Sequence, residues 1–245
     1  MEDSAGLDAP PEVRIGDAKE VAGMLAADLE AHARRLLAKQ RPFAIAIPGG
    51  SVARACFPRL AGLGLDWSSI EFFWVDERAV PPTDPAANYG LARRLWLDRV
   101  ALDPARVHRI RSEEQDLEAV AAAYARELDG VRAGRPLDLV LLGMGPDGHV
   151  CSLFPGHAAL RESARSVIAI HDSPKPPPRR ITMTLVPLAG AELVCVAAFG
   201  AEKADAVAAA IESPDSQLPV ALAARGGKHA LFLLDADAAG RLRSR

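Results

Sequence analysis

Leu137-Asp-Leu-Val-Leu-Leu-Gly143-Met-Gly-Pro-Asp-Gly-His149 is a short, almost wholly apolar run that stops at a glycine-rich polar turn. A near-continuous run of this kind suits a parallel strand covered on both faces, not an alternating strand with one wet side. The pattern recurs upstream, where Phe43–Ile47 leads into Pro48-Gly49-Gly50-Ser51 and Ile70–Val75 leads into Asp76-Glu77-Arg78. Downstream, Val167–Ile170, Ile181–Leu185, Leu193–Phe199 and Ala230–Leu234 read as further strands. Helical stretches fall between them. Asp17-Ala-Lys-Glu20 carries capping-box residues ahead of Val21, Met24, Leu25, Leu29, Ala33, Leu36 and Leu37, spaced three and four apart. Others are expected from Ser51, over Asn88–Val100 and over Gln115–Arg132. Strands alternating with helices predict an α/β fold, a three-layer αβα sandwich around a doubly wound, mostly parallel sheet. Ligands of open sheets bind outside the carboxyl ends of the strands, and that is where PGGS, DER and GMGPDGH converge.

The 245 residues include 49% hydrophobic and 25% charged side chains, with 29 basic against 32 acidic groups for a net charge of −3. These proportions describe a globular chain and exclude coiled-coil, collagen-like and disordered classes. The charge balance lacks the basic excess of a general nucleic-acid binder, and 5% aromatic residues leave little for a base-stacking platform. Residues 1–12 are acidic, lack the apolar stretch of a secretory signal, and are expected to form a disordered tail before a single domain over 13–245. The most apolar long window, Ile181–Gly200, contains Glu192, Pro187 and Gly190, so no membrane span is expected. Cys56, Cys151 and Cys195 form no CxxC pair and read as buried fillers in a reducing cytoplasm.

Gly49 and Gly50 permit close backbone approach to an anion, and a helix opening at Ser51 offers free N–H groups, a combination suited to phosphate; the plainer reading is a tight turn with Ser51 as cap. Gly143 to Gly148 matches GxGxxG literally, with Asp172 at a later strand end, as in a Rossmann-like dinucleotide site. Pro155-Gly156 interrupts the helix such a site needs, so nucleotide binding is not expected. What remains is a turn presenting Asp147 and His149, a carboxylate able to orient an imidazole for acid–base work. His149, Cys151 and His157 fit no standard zinc spacing, and no metal is expected. Asp76 and Arg78 stand at another strand end, where Arg78 suits a carboxylate or a developing oxyanion. Lys175, Arg179, Arg180 and Lys203 are candidate additions to a phosphate clamp.

Taken in order, PGGS, VDERAVPPTDPAANYG, LDLVLLGMGPDGHVCSLFPGH, SPKPPPRRITMTL, GAEKADAV and LFLLDADAA resemble the 6-phosphogluconolactonase family of the sugar-phosphate isomerase and deaminase superfamily. The likeness runs from about residue 47 to 239. It implies one αβα domain that opens 6-phosphoglucono-δ-lactone in the oxidative pentose phosphate pathway, in the cytoplasm, as a monomer or weak homodimer, with no cofactor. His149 matches the family's water-activating base, Asp147 its neighbouring aspartate, and Arg78 a substrate-site arginine. Gly49, Gly50, Ser51, Asp76, Arg180 and Lys203 match substrate-binding positions. The chain departs from the family pattern at Val52-Ala53, Ala87, Ala189 and Phe232, the first three bearing on phosphate or hydroxyl contacts. The rival readings are glucosamine-6-phosphate deamination, or a related sugar-phosphate isomerisation, and a non-catalytic sugar-phosphate sensor. A sensor of the regulator type would need a helix-turn-helix, which the single helix expected ahead of residue 43 does not provide.

Overall fold

The structure, a computed structural model, describes residues 10–243. The chain opens with β1 (Glu12–Ile15) and α1 (Ala18–Leu37), followed by β2 (Phe43–Ile47), α2 (Gly50–Leu60), β3 (Ile70–Trp74), β4 (Asp76–Arg78) and α3 (Asn88–Leu95). Next come β5 (Val107–His108), α4 (Leu117–Arg132), β6 (Leu139–Gly143), β7 (Val167–Ile170), β8 (Arg180–Met183) and α5 (Leu185–Leu188). The last elements are β9 (Val194–Ala198), α6 (Ala204–Glu212), α7 (Pro219–Gly226) and β10 (Ala230–Leu234). Seven strands form one parallel sheet in the order β1-β10-β9-β6-β2-β3-β5. Helices flank it, α1 packing on α2 and α2 on α3, while α7 packs against α5, α6, β9 and β10. The αβα architecture is the one expected.

Local chemistry explains most elements. The Asp17 carboxylate accepts from the Lys19 and Glu20 N–H groups at 2.8 Å, and Glu20 Oε2 accepts from Asp17 N at 2.7 Å, closing the capping box. Every residue of β2 and β3 is buried, as parallel strands between two helical layers must be. α3 ends at Leu95, short of the expected Val100. Trp96 leaves the helix and sets its ring 5.1 to 5.3 Å from Phe57, Trp67 and Phe72 in the core.

Two features were not expected. Glu12 belongs to β1, which pairs with β10, so the domain starts inside the span assigned to a disordered tail; the rest of that expectation, over 1–9, lies outside the described residues. Moreover, β7 and β8 do not join the parallel sheet. They run antiparallel with β4 in a second sheet of order β4-β8-β7, in which Asp76 faces Thr182 and Arg78 faces Arg180.

The strand order fixes where a ligand belongs. From β2 the chain moves to β3 and β5 on one side, and from β6 to β9 and β10 on the other. The direction reverses between β2 and β6, and the crevice at such a switch point is the natural binding site. PGGS follows β2, and GMGPDGH follows β6.

Candidate active site at the switch point

Beyond β6 the chain makes a tight loop. Gly148 N donates to Gly145 O at 3.0 Å, and Gly145 N donates to His149 O at 2.9 Å. This turns His149 back over Gly145, where a Cβ would lie 2.1 Å from the His149 Nδ1 and Cε1 atoms, so only glycine fits under the ring. Gly148 adopts φ +77°, the left-handed region glycine favours, and its carbonyl accepts from Val220 N at 3.0 Å. α7 thereby braces the loop.

His149 Nδ1 lies 2.5 Å from Asp147 Oδ1. An ionised carboxylate only accepts, so Nδ1 carries the proton and Nε2 keeps a free lone pair. Burial pushes the His149 pKa down; the Asp147 hydrogen bond and charge pull it up without fully compensating, and Lys175 adds to the lowering, for a net shift below 6.5. Asp147 is itself raised by burial, but the hydrogen bond from His149 and the nearby charges outweigh that and hold it below the ordinary carboxylate value. Phe154 covers the imidazole with ring centroids 4.5 Å apart. In its neutral form this imidazole is oriented by Asp147, with Nε2 the nitrogen that carries no proton.

A buried polar chain connects the pair to the rest of the switch point. Ser152, three residues past His149, donates from Oγ to Asp76 Oδ2 at 2.7 Å, and its N–H donates to Thr182 Oγ1 at 3.0 Å. Asn88 Nδ2 donates to Asp76 Oδ1 at 3.0 Å and to the Asp76 carbonyl at 2.9 Å. Its Oδ1 then rests against the Gly49 Cα, where a Cβ would collide with it. Gly49 is thus a glycine because Asn88 occupies the side-chain position. The α2 N-terminus at Gly50 and Ser51 has no side-chain cap, so its N–H groups are offered to an anion.

The cations divide into two kinds. Arg78, partly exposed, donates from Nη1 to Ala86 O at 2.6 Å; Lys203, 7% exposed, donates from Nζ to Phe199 O at 2.9 Å at the carboxyl end of β9 and lies 3.9 Å from Glu202 Oε1. Arg180 is only 4% exposed. Its Nε donates to Pro177 O at 3.0 Å, Nη2 to Lys175 O at 2.9 Å and Pro176 O at 3.2 Å, and Nη1 to Ser152 Oγ at 3.3 Å. Arg180 is a wall of the site with little left to offer a phosphate. Arg179 points elsewhere, donating to Gln115 O at 3.1 Å. Lys175 does reach the centre, with Nζ 3.5 Å from Asp147 Oδ1.

Sequence reading missed Ser152, Asn88, Glu77 and Phe154 as parts of this site. Glu77, 2% exposed, accepts from Asn88 N and Tyr89 N, each at 2.7 Å, and so caps α3 in place of a side chain at Ala87. The Ala87 departure therefore leaves α3 capped. Val52 packs beneath the site with Cγ2 3.1 Å from where a Gly143 Cβ would stand, which ties that departure to the glycine ending β6. Ala189 lies at the opposite edge of the sheet. α7 begins beside Gly148 and, about 12 Å long, ends at Gly226, whose carbonyl accepts from Gly190 N at 2.7 Å, so Ala189 stands by the end of α7 away from the His149 loop. Phe232 is a fully buried core residue of β10.

No dinucleotide turn forms at GMGPDG. Residues beyond Gly148 enter an isolated bridge and a tight turn at Val150–Leu153, with no helix to face a pyrophosphate. His157 accepts from Ala159 N through Nδ1 and bonds Asp172 through Nε2 at 3.0 Å, apart from His149. Among the described residues no group of three or more His, Cys, Asp or Glu side chains is arranged to hold a metal ion.

A parallel, doubly wound sheet with Asp147 and His149 paired at its switch point defines the class, a doubly wound α/β protein whose polar loops converge on one crevice. Residues 16–232 match the family described as glucosamine-6-phosphate isomerases/6-phosphogluconolactonase. A Streptomyces coelicolor protein named 6-phosphogluconolactonase is 40% identical over 234 residues, spanning 87% of this chain and 90% of its own length. Its namesake from Mycobacterium tuberculosis is 45% identical over 188 residues, 74% of this chain and 76% of its own. The structure of 6-phosphogluconolactonase from Trypanosoma cruzi superposes with a TM-score of 0.86 at 25% identity, covering 98% of this chain and 99% of that one. The chain belongs to the glucosamine-6-phosphate isomerase/6-phosphogluconolactonase family.

Proposed function

We propose that this protein hydrolyses 6-phosphoglucono-δ-lactone to 6-phosphogluconate, the ring-opening step of the oxidative pentose phosphate pathway. The observation that carries the mechanism is the His149–Asp147 contact of 2.5 Å, which leaves Nε2 as the free, basic nitrogen beside the switch-point crevice. The relatives named 6-phosphogluconolactonase support the substrate.

The substrate phosphate sits at the Gly49–Ser51 turn, on the open N–H groups of α2, with Lys203 on the same sheet edge adding charge. Nε2 takes a proton from water as the water oxygen attacks the lactone carbonyl. Arg78 and nearby backbone N–H groups receive the negative charge that develops on the carbonyl oxygen. The imidazolium, steadied by Asp147, then returns a proton to the ring oxygen as the C–O bond breaks. Arg180 acts on this chemistry through the loop it holds. A positioned acid–base contributes about 10²–10⁴-fold and one oxyanion donor about 2.7–4 kcal/mol, enough for a lactone that also opens unaided.

The test is base-titrated acid release from freshly generated lactone, corrected for the spontaneous rate, with glucosamine 6-phosphate offered in parallel. His149→Ala is expected to lower turnover at least about 100-fold, with phosphate-dependent binding retained. Near-wild-type hydrolysis by that variant, or preferential deamination of the amino sugar, overturns the reading.

A further inference from the structure

The 173–178 loop is built around its own closure. Ser173 N donates to Pro178 O at 3.0 Å, and Ser173 Oγ both donates to Lys175 O at 3.0 Å and accepts from Lys175 N at 3.3 Å. Arg180, buried behind it, takes the carbonyls of Lys175, Pro176 and Pro177 together. Three consecutive carbonyls on one guanidinium leave the loop backbone little freedom. The outcome is a held Lys175 backbone whose side chain places Nζ 3.5 Å from Asp147 Oδ1 and 3.4 Å from His149 Nδ1. That carboxylate oxygen is the one His149 already uses. Nζ and Nδ1 both carry protons, so their contact is no hydrogen bond and becomes repulsive when the ring gains a second proton.

We infer that Lys175 is the third member of the proton-transfer unit, a positioning residue whose ammonium shares the Asp147 oxygen with His149 and, together with burial of the ring, favours the uncharged imidazole that can accept a proton. This rests on the reading of His149 as the base. Asp147 alone, at 2.5 Å, favours a charged ring, which has no lone pair left for water. Lys175 opposes that pull from the other side of the same carboxylate. Other charges near the ring are Asp76, which favours its charged form, and Arg180, whose guanidinium sits 5.9 Å from the centroid of the Phe154 ring that covers His149. Lys175 stands in contact with the imidazole, and its effect on the ring is opposite to that of both carboxylates. The lysine that the sequence offers as a candidate for a phosphate clamp thus faces the base.

The experiment titrates the His149 ring by NMR in histidine-labelled wild type, Lys175→Met and Lys175→Arg, with His149→Asn identifying its resonance. The acid limb of kcat/KM is measured on the same proteins. In Lys175→Met, both the ring titration and the acid limb are expected to move up by roughly 0.2–0.7 of a pH unit, the scale of a half-exposed charge pair. Lys175→Arg, which keeps the charge, is expected to titrate as wild type. An unmoved ring in Lys175→Met, or equal shifts in the Met and Arg variants, overturns the inference. A raised KM with an unmoved acid limb also overturns it and makes Lys175 a substrate contact. Retained hydrolysis in His149→Asn refutes the base reading instead, and the ring titration still reports on Lys175.

Discussion

Gly145→Ala isolates geometry from chemistry, because it adds one methyl group without touching an acid, a base or a charge. Its Cβ would stand 2.1 Å from His149 Nδ1 and Cε1, and 2.6 Å from Asp147 Oδ1. Ordinary contact begins near 3.4 Å, so the imidazole must retreat by about 1.3 Å, and a misplacement of about 1 Å at a reacting group can cost on the order of 10²-fold in rate. The obstructing atoms belong to side chains and Gly145 lies outside the left-handed region, so the backbone accepts alanine. The stability account nearly balances. Losing one hydrogen bond costs about 1 kcal/mol, and restricting the unfolded chain returns about 0.4–1 kcal/mol. The melting temperature should stay within a few degrees of wild type while kcat on the lactone falls about 100-fold. Gly130→Ala is the matched control. Gly130 is exposed in α4 with nothing within 4 Å of an added Cβ, so this variant should gain up to about 1 kcal/mol and keep full activity. A Gly145→Ala enzyme with wild-type kcat would refute the claim that the ring must sit over that glycine.

Two further outcomes follow from sites away from the base. His108, 6% exposed, bonds Glu71 through Nε2 at 2.8 Å and Glu127 through Nδ1 at 2.7 Å. Burial alone would lower its pKa, but the two carboxylates outweigh that and hold it above 6.5. The native state binds this proton more tightly than the unfolded chain does. Its stabilisation is therefore complete below the ordinary histidine value and lost as pH rises through the raised one. Urea unfolding at about pH 6 and about pH 9 should show wild type losing its advantage over His108→Gln at the higher pH; an advantage independent of pH contradicts the charged pairing. Gly143→Ala should destabilise by about 1–3 kcal/mol because its Cβ meets Val52 Cγ2 at 3.1 Å, and Val52→Ala should recover part of that loss in the double variant. Strict additivity of the two changes in thermal melts would rule out the contact.

The parallel sheet was legible because β2, β6 and β9 are apolar throughout and β3 carries only Glu71 as a charge, a composition that burial on both faces demands. β1 and β4 were not. Glu12-Val-Arg-Ile15 is a half-wet edge strand, and Asp76-Glu77-Arg78 carries a charge at every position. Both are strands only because β10 and β8 supply their partners, an effect no local pattern records. The same division runs through the site. Asp147 and His149 lie two residues apart on one polar turn, so the pair could be read directly. Ser152 meets Asp76 across 76 positions, and Arg180 owes its burial to the second sheet; spacing along the chain carries no trace of either. Lys175 was noticed for its charge, but its place against Asp147 depends on three carbonyls held by Arg180.

The antiparallel sheet has a consequence for how the protein comes to life. Asp76 lies on β4 and Arg180 on β8, while Ser152 belongs to the excursion between β6 and β7, so their junction exists only where the two sheets meet. A chain that has completed the parallel sheet alone has its imidazole on a loop braced by α7 but its lysine not yet set against Asp147. Completing the Asp76–Ser152–Arg180 junction therefore requires the second sheet to dock on the first. For this molecule, turnover is a gauge of finished topology, and it should return after helical content does when the unfolded chain is allowed to refold.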